Sequence, residues 1–331
     1  MSDLRLEALR QWLSRDLGLI DYQLTSVSGD ASFRRYFRAR CKRGSLIAMD
    51  APPEQEDCRP FIHFASKFRD LGLNVPEVLE QNLEQGFLLL SDLGEQHYLD
   101  ILNLDNADGL YGDALAALRL LQKDGVSRLE LDLPSYSRDL LIKEMGLFRD
   151  WYLERHLGMQ IGITLGGLFE LLAASALDQP QVLVHRDYHS RNLMVTGKTN
   201  PGILDFQDAV RGPVTYDLVS LLRDCYIAWP QERVLAWLYD YRRAIARVGI
   251  PVGASELEFL RWFDWMGVQR HLKAIGIFAR LNYRDSKPGY FRDIPRTLGY
   301  LNTVANQYSE LAELARLLQN LPKPMGMGLS V

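Results

Sequence analysis

The segment His185–Asn192, with the sequence HRDYHSRN, constrains this chain more than any other feature of it. Asp187 and Asn192 stand five residues apart, and Asp205 follows thirteen residues after Asn192. Phosphoryl transfer needs a carboxylate that takes the proton of the acceptor hydroxyl, and oxygen ligands that hold Mg²⁺ against the phosphates. Asp187 has the chemistry of that base, and Asn192 and Asp205 have the chemistry of the metal ligands. The pattern therefore predicts phosphoryl transfer from ATP, with Mg²⁺ as cofactor and Asp187 as the catalytic base.

Short apolar segments predict the local structure that carries these three side chains. Residues 181–184 and 193–196 have the composition of strands before and after a loop, and residues 203–204 lead into Asp205 after a turn with Gly and Pro. We expect the three strands to form one small β structure with the three side chains at one edge. An acidic turn with a capping Asn is the alternative, but the preceding His-Arg pair and the second acidic strand end favour the catalytic interpretation.

The loop sequence HRDYHSRN resembles the motif shared by eukaryotic-like kinases and the aminoglycoside phosphotransferase/choline kinase family. His189 favours the phosphotransferase branch, whose loops have the pattern H-x-D-x-H-x-x-N, and Leu204–Asp208 (LDFQD) resembles the D-x-x-D variant of the kinase D-F-G. The resemblance covers nearly the whole chain and implies an α+β, two-lobed protein-kinase-like fold. We expect a small antiparallel β-sheet N-lobe at residues 1–92 and a larger, mostly helical C-lobe at residues 93–331.

Composition and charge fit an enzyme that acts on small molecules. The chain has 331 residues, 47% of them hydrophobic and 24% charged, which is ordinary for a globular protein and enough for two lobes. Its net charge of −4 gives no reason to expect nucleic acid or an anionic membrane as a partner. Three widely spaced cysteines (Cys41, Cys58 and Cys225) argue against a disulfide framework or a zinc site. The N-terminus lacks the apolar core of a signal peptide, so we expect a cytoplasmic protein. We also expect a monomer.

Apolar periodicity divides the chain into a β-rich first part and a helical remainder. Leu9, Trp12, Leu13 and Leu17 form the stripe of an opening helix that ends at Gly18. The predicted N-lobe strands are residues 22–27, 33–41, 46–51, 75–80 and 87–90, with a helix at residues 59–71. The predicted C-lobe helices are residues 108–123, 138–155, 165–177, 216–228, 231–248 and 256–281.

The expected nucleotide contacts lie in the first part of the chain. The turn at residues 28–32 stands where a kinase places its phosphate-covering loop, although an ordinary hairpin turn has the same composition. Strand residues 46–50 (LIAMD) place Met or Asp where kinases have a phosphate-binding Lys, so Arg34, Arg35 or Arg38 must supply the charge unless they are solvated edge residues. The resemblance to the family hinge implies that backbone groups near residues 90–93 bind adenine. The predicted nucleotide-binding residues are Asp30, Ser32, Arg34, Leu90, Asp92 and Leu93.

The expected acceptor site has a basic character. Between Arg261 and Arg292 the chain has seven Lys or Arg residues and only two Asp, which disfavours a polycationic acceptor and favours a neutral or anionic polyhydroxyl compound. A solvated basic helix face, a packed aromatic core and a local Arg223–Asp224 ion pair are the structural alternatives. The predicted acceptor residues are His189, Arg191, Arg223, Asp224, Gln269 and Arg270, with His189 more suited to bracing the loop than to chemistry.

Several segments resemble one bacterial subgroup of the family. These are SGDASFRRY, MDAPPE, the loop HRDYHSRN and WMGVQRHLK. The subgroup phosphorylates the anomeric C1 hydroxyl of N-acetylmuramate and N-acetylglucosamine in cell-wall sugar recycling. The resemblance implies that activity here, and the lactyl carboxylate of N-acetylmuramate would give the basic helix a purpose. Two alternatives stay open: a kinase of another small alcohol or sugar, such as choline or homoserine, and a nucleotide-binding regulator without transferase activity, as the missing Lys would allow.

Overall fold

The computed structural model describes residues 3–27, 33–42, 44–125, 133–160 and 165–322. Asp30 and Ser32, and with them the predicted phosphate-covering turn, lie outside the described residues. The chain divides into two compact units. Unit 1 comprises Met1–Ala117 and Asn192–Asp208, and unit 2 comprises Leu118–Arg191 and Ala209–Val331. The compact units do not test the predicted division into lobes at residues 1–92 and 93–331, so the boundary between the lobes stays a prediction.

The described residues form short strands and helices in the following order. The strands are β1 (Gln23–Ser26), β2 (Arg35–Cys41), β3 (Gly44–Asp50), β4 (Val78–Asn82), β5 (Phe87–Ser91), β6 (Gln181–Val184), β7 (Leu193–Met194), β8 (Gly202–Ile203) and β9 (Val210–Pro213). The helices are α1 (Leu4–Gln11), α2 (Arg59–Asp70), α3 (Tyr98–Ile101), α4 (Ala107–Asp124), α5 (Arg138–Leu147), α6 (Gly166–Leu177), α7 (Tyr216–Leu222), α8 (Gln231–Ala246), α9 (Glu256–Asp285), α10 (Ile294–Ala305) and α11 (Ala312–Gln319). None of the helices in these ranges is long and apolar enough to cross a membrane.

Unit 1 is built on an antiparallel sheet with the strand order β1-β2-β3-β5-β4. The inner strands β3 and β5 pair Ala48 with Leu89 and Met49 with Leu88, so apolar side chains fill the middle of the sheet. The opening helix packs Leu9 on this sheet, continues as a π-helical turn at Trp12–Asp16 and ends before Gly18. The prediction of this helix and its end is confirmed. Gly18 has a φ of +66°, which glycine adopts at no steric cost.

The prediction of one β structure around the catalytic loop is wrong. β7 pairs with β8 inside unit 1, whereas β6 pairs with β9 inside unit 2. The turn between β7 and β8 lets residues 193–194 close on residues 202–203, leaving β6 to take another partner. That partner, β9, has the sequence Val-Arg-Gly-Pro and carries almost no strand signal, because Gly and Pro are rare in strands.

Apart from the β6–β9 pair, the described part of unit 2 is mostly helical, and α9 is its central element. Ser255 caps α9 by accepting the backbone N–H of Glu258 at 3.1 Å. Helix α9 buries residues on every side, and of the aromatic side chains predicted as core, Trp265 and Phe278 are buried whereas Trp262 is half-buried. A solvated basic face is wrong for the middle of α9, where even Lys273 is 8% exposed. The described residues thus combine an antiparallel sheet with a helical unit, which confirms the α+β class.

The helix predictions differ from the structure mainly at their ends. α7 ends at Leu222 instead of residue 228, because Asp224 turns away and accepts the backbone N–H of Tyr226 at 2.8 Å. The predicted helix 138–155 changes at Phe148 into a π-helix that ends at His156. Helices α3, α10 and α11 were not predicted.

Candidate active site

The catalytic loop of unit 2 is anchored through its backbone. The buried carboxylate of Asp217, in α7, accepts the backbone N–H groups of His185 at 2.7 Å and Arg186 at 3.0 Å. Arg186 has a φ of +79°, a conformation that a non-glycine residue keeps only when its surroundings impose it. Burial raises the pKa of Asp217 to about 7, against the lowering effect of the two backbone donors and Arg270. The loop thus enters the site in a fixed, strained conformation.

Asp187 lies in this loop among cations. Burial alone would raise its pKa, but the charges of Lys273, Arg270 and Arg186 outweigh burial and keep the pKa below its usual value. The backbone N–H of Asp187 meets Nδ1 of His185 at 3.3 Å, and its carbonyl accepts the backbone N–H of His189 at 3.1 Å. The carboxylate is therefore ionised at neutral pH, as a proton acceptor must be.

Glu144 in α5 forms the centre of a buried ionic network beside the loop. Its carboxylate lies 2.7 Å from Nη2 of Arg186 and 2.9 Å from Nζ of Lys273. It also accepts the hydroxyl of Tyr136 and, at 3.4 Å, the side-chain amide of Gln269. Burial would raise the pKa of Glu144, but Lys273 and Arg186 lower it below its usual value. Two cations near the base are thus held by one carboxylate.

Arg270 in α9 also supports the loop. Its guanidinium donates to Oγ of Ser220 at 2.7 Å and to the carbonyl of Arg186 at 3.4 Å, and it lies over the ring of Tyr216 at 4.7 Å. Nζ of Lys273 donates to the Tyr216 hydroxyl at 3.0 Å. The ring and its hydroxyl therefore keep both cations of α9 close to the loop.

His189 and Arg191 pack against tyrosine rings in unit 2. The His189 ring meets the ring of Tyr226 edge-on at 5.2 Å, and the Arg191 guanidinium lies over Tyr226 at 3.8 Å and over Tyr290 at 5.4 Å. Burial lowers the pKa of His189 despite the opposing charges of Asp224 and Asp187, so the imidazole is neutral at neutral pH. Its Nδ1 is buried and has no hydrogen-bond partner among the residues that the structure describes.

Arg223 and Asp224 take separate partners, so the predicted local ion pair between them is wrong. Nη2 of Arg223 lies 2.6 Å from the buried carboxylate of Asp264. Asp224 accepts the backbone N–H of Ser190 at 2.9 Å and its hydroxyl at 2.5 Å. Adjacent residues at the end of α7 project in different directions, which sequence adjacency does not reveal. Asp224 thus fixes the catalytic loop at Ser190, and Arg223 is ion-paired with Asp264 of α9.

The predicted metal ligands lie together in unit 1. Leu204 donates its backbone N–H to the carbonyl of Asn192 at 2.9 Å, and the side-chain amide of Asn192 lies 3.5 Å from the Asp205 carboxylate. The amide of Gln207 donates to the other Asp205 oxygen at 2.8 Å. Amide and carboxylate oxygens are ligands that Mg²⁺ accepts. Across the described ranges no cluster of three or more His, Cys, Asp or Glu could hold a metal by itself, so a Mg²⁺ here would also depend on phosphates.

Asp50 stands at one of the two positions where kinases have the phosphate-binding Lys, and it is ion-paired inside unit 1. Asp50 has no exposed surface and accepts Nε of Arg5 at 2.9 Å and Nε of Arg35 at 3.0 Å. Arg38 donates to Asp92 at 2.6 Å, and this ion pair and Ser45 lower the pKa of Asp92 against the effect of burial. Arg35 and Arg38 are therefore engaged with carboxylates.

The other predicted nucleotide residues are distributed over unit 1. Nε of Arg34 lies 3.6 Å from the Glu56 carboxylate. Leu90 is buried in β5 opposite Ile47, and Leu93 packs near Gly202. Asp92 also accepts the backbone N–H of Gly94 at 3.0 Å.

Sequence reasoning missed Glu144, Asp217 and Tyr226. Glu144 has a weak signal, since it is a charged residue at a position that the apolar pattern of its helix assigns to the core. Tyr226 stands in a segment predicted as helix, which hid its role beside the loop.

Known proteins resemble this chain over most of its length. The phosphotransferase enzyme family matches residues 23–263. A Pseudomonas aeruginosa protein named N-acetylmuramate/N-acetylglucosamine kinase is 52% identical over 305 residues, which cover 91% of this chain and 89% of that protein. A Neisseria meningitidis protein of the same name is 43% identical, covering 95% of both chains. The choline kinase LicA from Streptococcus pneumoniae is 12% identical but superposes with a TM-score of 0.63 over 90% of this chain and 99% of its own, so the fold is shared.

Proposed function

The chain belongs to the phosphotransferase enzyme family, and we propose that it is an ATP-dependent kinase of amino sugars. Its acceptor is the anomeric C1 hydroxyl of N-acetylmuramate and N-acetylglucosamine, and its product is the sugar 1-phosphate. Relatives that cover most of this chain are named as kinases of these two sugars. The observation that carries the proposal is the state of Asp187. Surrounding cations keep the pKa of its carboxyl group below the usual value, so the carboxylate is ionised. The loop that carries Asp187 is fixed through its backbone.

In the proposed reaction Asp187 orients the sugar and accepts its proton. The C1 hydroxyl donates a hydrogen bond to the carboxylate, and its oxygen attacks the γ-phosphorus of ATP. As the new O–P bond forms and the bond to the ADP oxygen breaks, the hydroxyl proton passes to Asp187. An anomeric hydroxyl is more acidic than an ordinary sugar alcohol, so a carboxylate of low pKa is a sufficient base. Arg270 and Lys273 keep that carboxylate ionised until the proton moves.

Asn192 and Asp205 are the proposed magnesium ligands. Their side-chain oxygens fit the ion, and Gln207 orients the Asp205 carboxylate through its hydrogen bond. A bound Mg²⁺ supplies neutralisation of the charge that develops on the β- and γ-phosphate oxygens. Nucleotide binding by Arg34, by backbone groups of Leu90, Asp92 and Leu93, and by Asp30 and Ser32 stays a prediction. So do the cytoplasmic location and the monomeric state.

The proposed acceptor residues divide into two groups by their burial. His189, Arg191 and Arg270 are partly exposed and are the proposed sugar contacts. Gln269 and Asp224 are 0% and 1% exposed, and Arg223 is 9% exposed and ion-paired, so we assign them supporting roles beneath the site.

An ADP-release assay with a panel of acceptors tests the proposed function. The purified protein with Mg²⁺ and ATP is supplied with N-acetylmuramate, N-acetylglucosamine, choline, homoserine and an aminoglycoside. We expect ADP release with the two amino sugars, and phosphorus NMR of the product should show the phosphate at C1. ADP release with another alcohol would assign the protein to a different acceptor. ATP binding without release in any reaction would favour the nucleotide-binding regulator.

A further inference from the structure

Glu144 is shared by two cations that lie near the proposed base. Its Oε1 accepts Nη2 of Arg186 at 2.7 Å and Nζ of Lys273 at 2.9 Å. Its Oε2 accepts the hydroxyl of Tyr136 and, at 3.4 Å, the side-chain amide of Gln269. The Glu144 side chain is buried, so protein groups and not water compensate its charge. One carboxylate of α5 therefore fixes the positions of a loop cation and an α9 cation.

The same two cations act on Asp187. Lys273 and Arg186 lower the pKa of Asp187, and Asp187 in turn contributes to the raised pKa of each of them. Arg270 adds a third positive charge, and its guanidinium binds neutral protein groups. Asp187 thus lies near three cations, two of which have Glu144 as their ion-pair partner.

The removal of Glu144 would leave two buried cations without their counter-ion. An uncompensated buried charge is strongly unfavourable, so such a cation moves to another carboxylate within reach. The charge of Asp187 already acts on both Arg186 and Lys273. A carboxylate in a direct ion pair is a weaker base, and its oxygens are occupied when the acceptor hydroxyl arrives. Loss of Glu144 should therefore convert Asp187 from a base into a counter-ion.

Resting on the proposed function, we propose that Glu144 is a positioning residue that retains Arg186 and Lys273 in ion pairs of its own, so that the Asp187 carboxylate stays available to the acceptor hydroxyl. The two cations then act on Asp187 through space instead of occupying its oxygens. Helix α5, which carries no motif of the reaction, takes part in it through this charge and without contact to the substrate.

The first test is the variant Glu144→Gln, which removes the charge and keeps the shape of the side chain. The buried Oε1 of Gln269 has no hydrogen-bond partner among the described residues, so rotation of this amide lets it accept the new N–H group. We expect kcat with both amino sugars to fall about ten- to hundredfold, less than for Asp187→Asn, because the base is weakened and not removed. Near-normal kcat of Glu144→Gln would overturn the proposal.

The decisive comparison adds Lys273→Met to Glu144→Gln. One of the two displaced cations is then absent, so kcat of the double variant should rise at least about threefold above that of Glu144→Gln. Two independent structural defects would lower kcat further, and an unchanged or lower kcat would overturn the proposal. If Glu144→Gln does not fold, the double variant is compared with Lys273→Met. Arg186 lacks its counter-ion only in the double variant, so its kcat should be the lower one, and equal values would overturn the proposal.

Glu170→Gln is the matched control. Glu170 of α6 accepts Nε of Arg138 at 2.9 Å in an exposed ion pair with the start of α5, so its loss should leave kcat unchanged. Urea unfolding of every variant shows whether changes in kcat follow changes in stability, which the proposal does not expect. Absence of wild-type activity with both amino sugars would refute the proposed function itself. Wild-type activity with the wrong response to Glu144→Gln would refute only this inference.

Discussion

The proposed role of Asp187 as a base requires a carboxylate that is ionised before the acceptor binds, and the surroundings of Asp187 favour that state. Its pKa is lowered although burial acts in the opposite direction, because Lys273, Arg270 and Arg186 lie close. Asp217, a buried carboxylate of the same unit, has its pKa raised by burial to about 7 and holds backbone N–H groups instead. The two aspartates thus have different roles because their neighbours differ.

Replacement of Asp187 by Asn keeps the shape of the side chain and removes the proton acceptor. We expect kcat to fall by a factor of about 10² to 10⁴, the usual contribution of a general base, while the dissociation constant of ATP stays close to that of the wild type. Steady-state kinetics and calorimetric titration with Mg·ATP measure the two quantities. Asp178→Asn, the same change at an exposed position after α6, serves as control. Near-normal turnover of Asp187→Asn would remove its assignment as base.

His271 should make the stability of the protein depend on pH. It lies buried in α9, stacks on Tyr300 at 4.9 Å, and its Nε2 lies 3.0 Å from the carbonyl of Arg223. Burial lowers its pKa to about 3. Below the ordinary histidine pKa of about 6.5 the unfolded chain gains a proton that the native protein does not, so stability is full above that pH and falls by about 1.4 kcal/mol per pH unit below it.

The variant His271→Gln removes this titration and keeps an amide that can donate to the Arg223 carbonyl. Between pH 6.5 and pH 5 the free energy of unfolding of the wild type should fall by about 2 kcal/mol more than that of the variant. Urea unfolding at the two pH values measures the difference. Parallel losses in both proteins would show that His271 is protonated in the native state.

At the scale of elements, helix α9 is placed by a close approach to α5 that only glycine permits. A Cβ atom on Gly276 would lie 2.3 Å from the backbone carbon of Leu147 and 2.5 Å from the backbone nitrogen of Phe148. These backbone atoms cannot move without shifting the end of α5, which carries Glu144. The position of Glu144 beside the loop thus depends on the absence of a side chain on the neighbouring helix.

Gly276→Ala should therefore destabilise the protein although alanine favours helices. We expect a loss of about 1–3 kcal/mol from overpacking, and lower kcat because the loop supports shift with α5. Gly299→Ala in α10 is the control, since a Cβ there meets nothing within 4 Å and should add up to about 1 kcal/mol of stability. Urea unfolding of the two variants gives the comparison. Stabilisation by both substitutions would contradict the close approach.

Sequence patterns predicted the elements best where one segment carries its own signal. The stripe of Leu9, Trp12 and Leu13 predicted the opening helix, and the start of α9 at residue 256 was predicted, although α9 ends at Asp285 and not at residue 281. The pairing of β6 with β9 was not, because it joins distant segments and one of them contains Gly and Pro. The role of Glu144 was hidden for a related reason: its partners come from the loop and α9, and a single buried Glu in a helix does not identify them.

At the scale of the whole molecule, the motif residues predicted the family and the chemistry before any contact was known. Three functional side chains at fixed spacing limit the possible reactions strongly, since each must supply a particular oxygen or proton acceptor. The acceptor is less constrained, because Arg270 of α9, a proposed sugar contact, and Tyr226, against which His189 and Arg191 pack, lie outside the motif. Ligand binding to the intact chain is therefore the most direct check of the proposed roles.

Mg·ATP should stabilise the protein through Asp205. A ligand that binds only the native state at about one hundred times its dissociation constant adds about 2.7 kcal/mol, which raises Tm by several degrees. We expect this increase for the wild type with Mg·ATP, a smaller one with ATP and a chelator, and little difference between these conditions for Asp205→Ala, because the carboxylate that meets Asn192 is lost. Asp187→Asn is the informative comparison: it should keep the magnesium-dependent increase, since we assign it to the proton and not to the metal. A magnesium effect that disappears in Asp187→Asn and persists in Asp205→Ala would exchange the two roles.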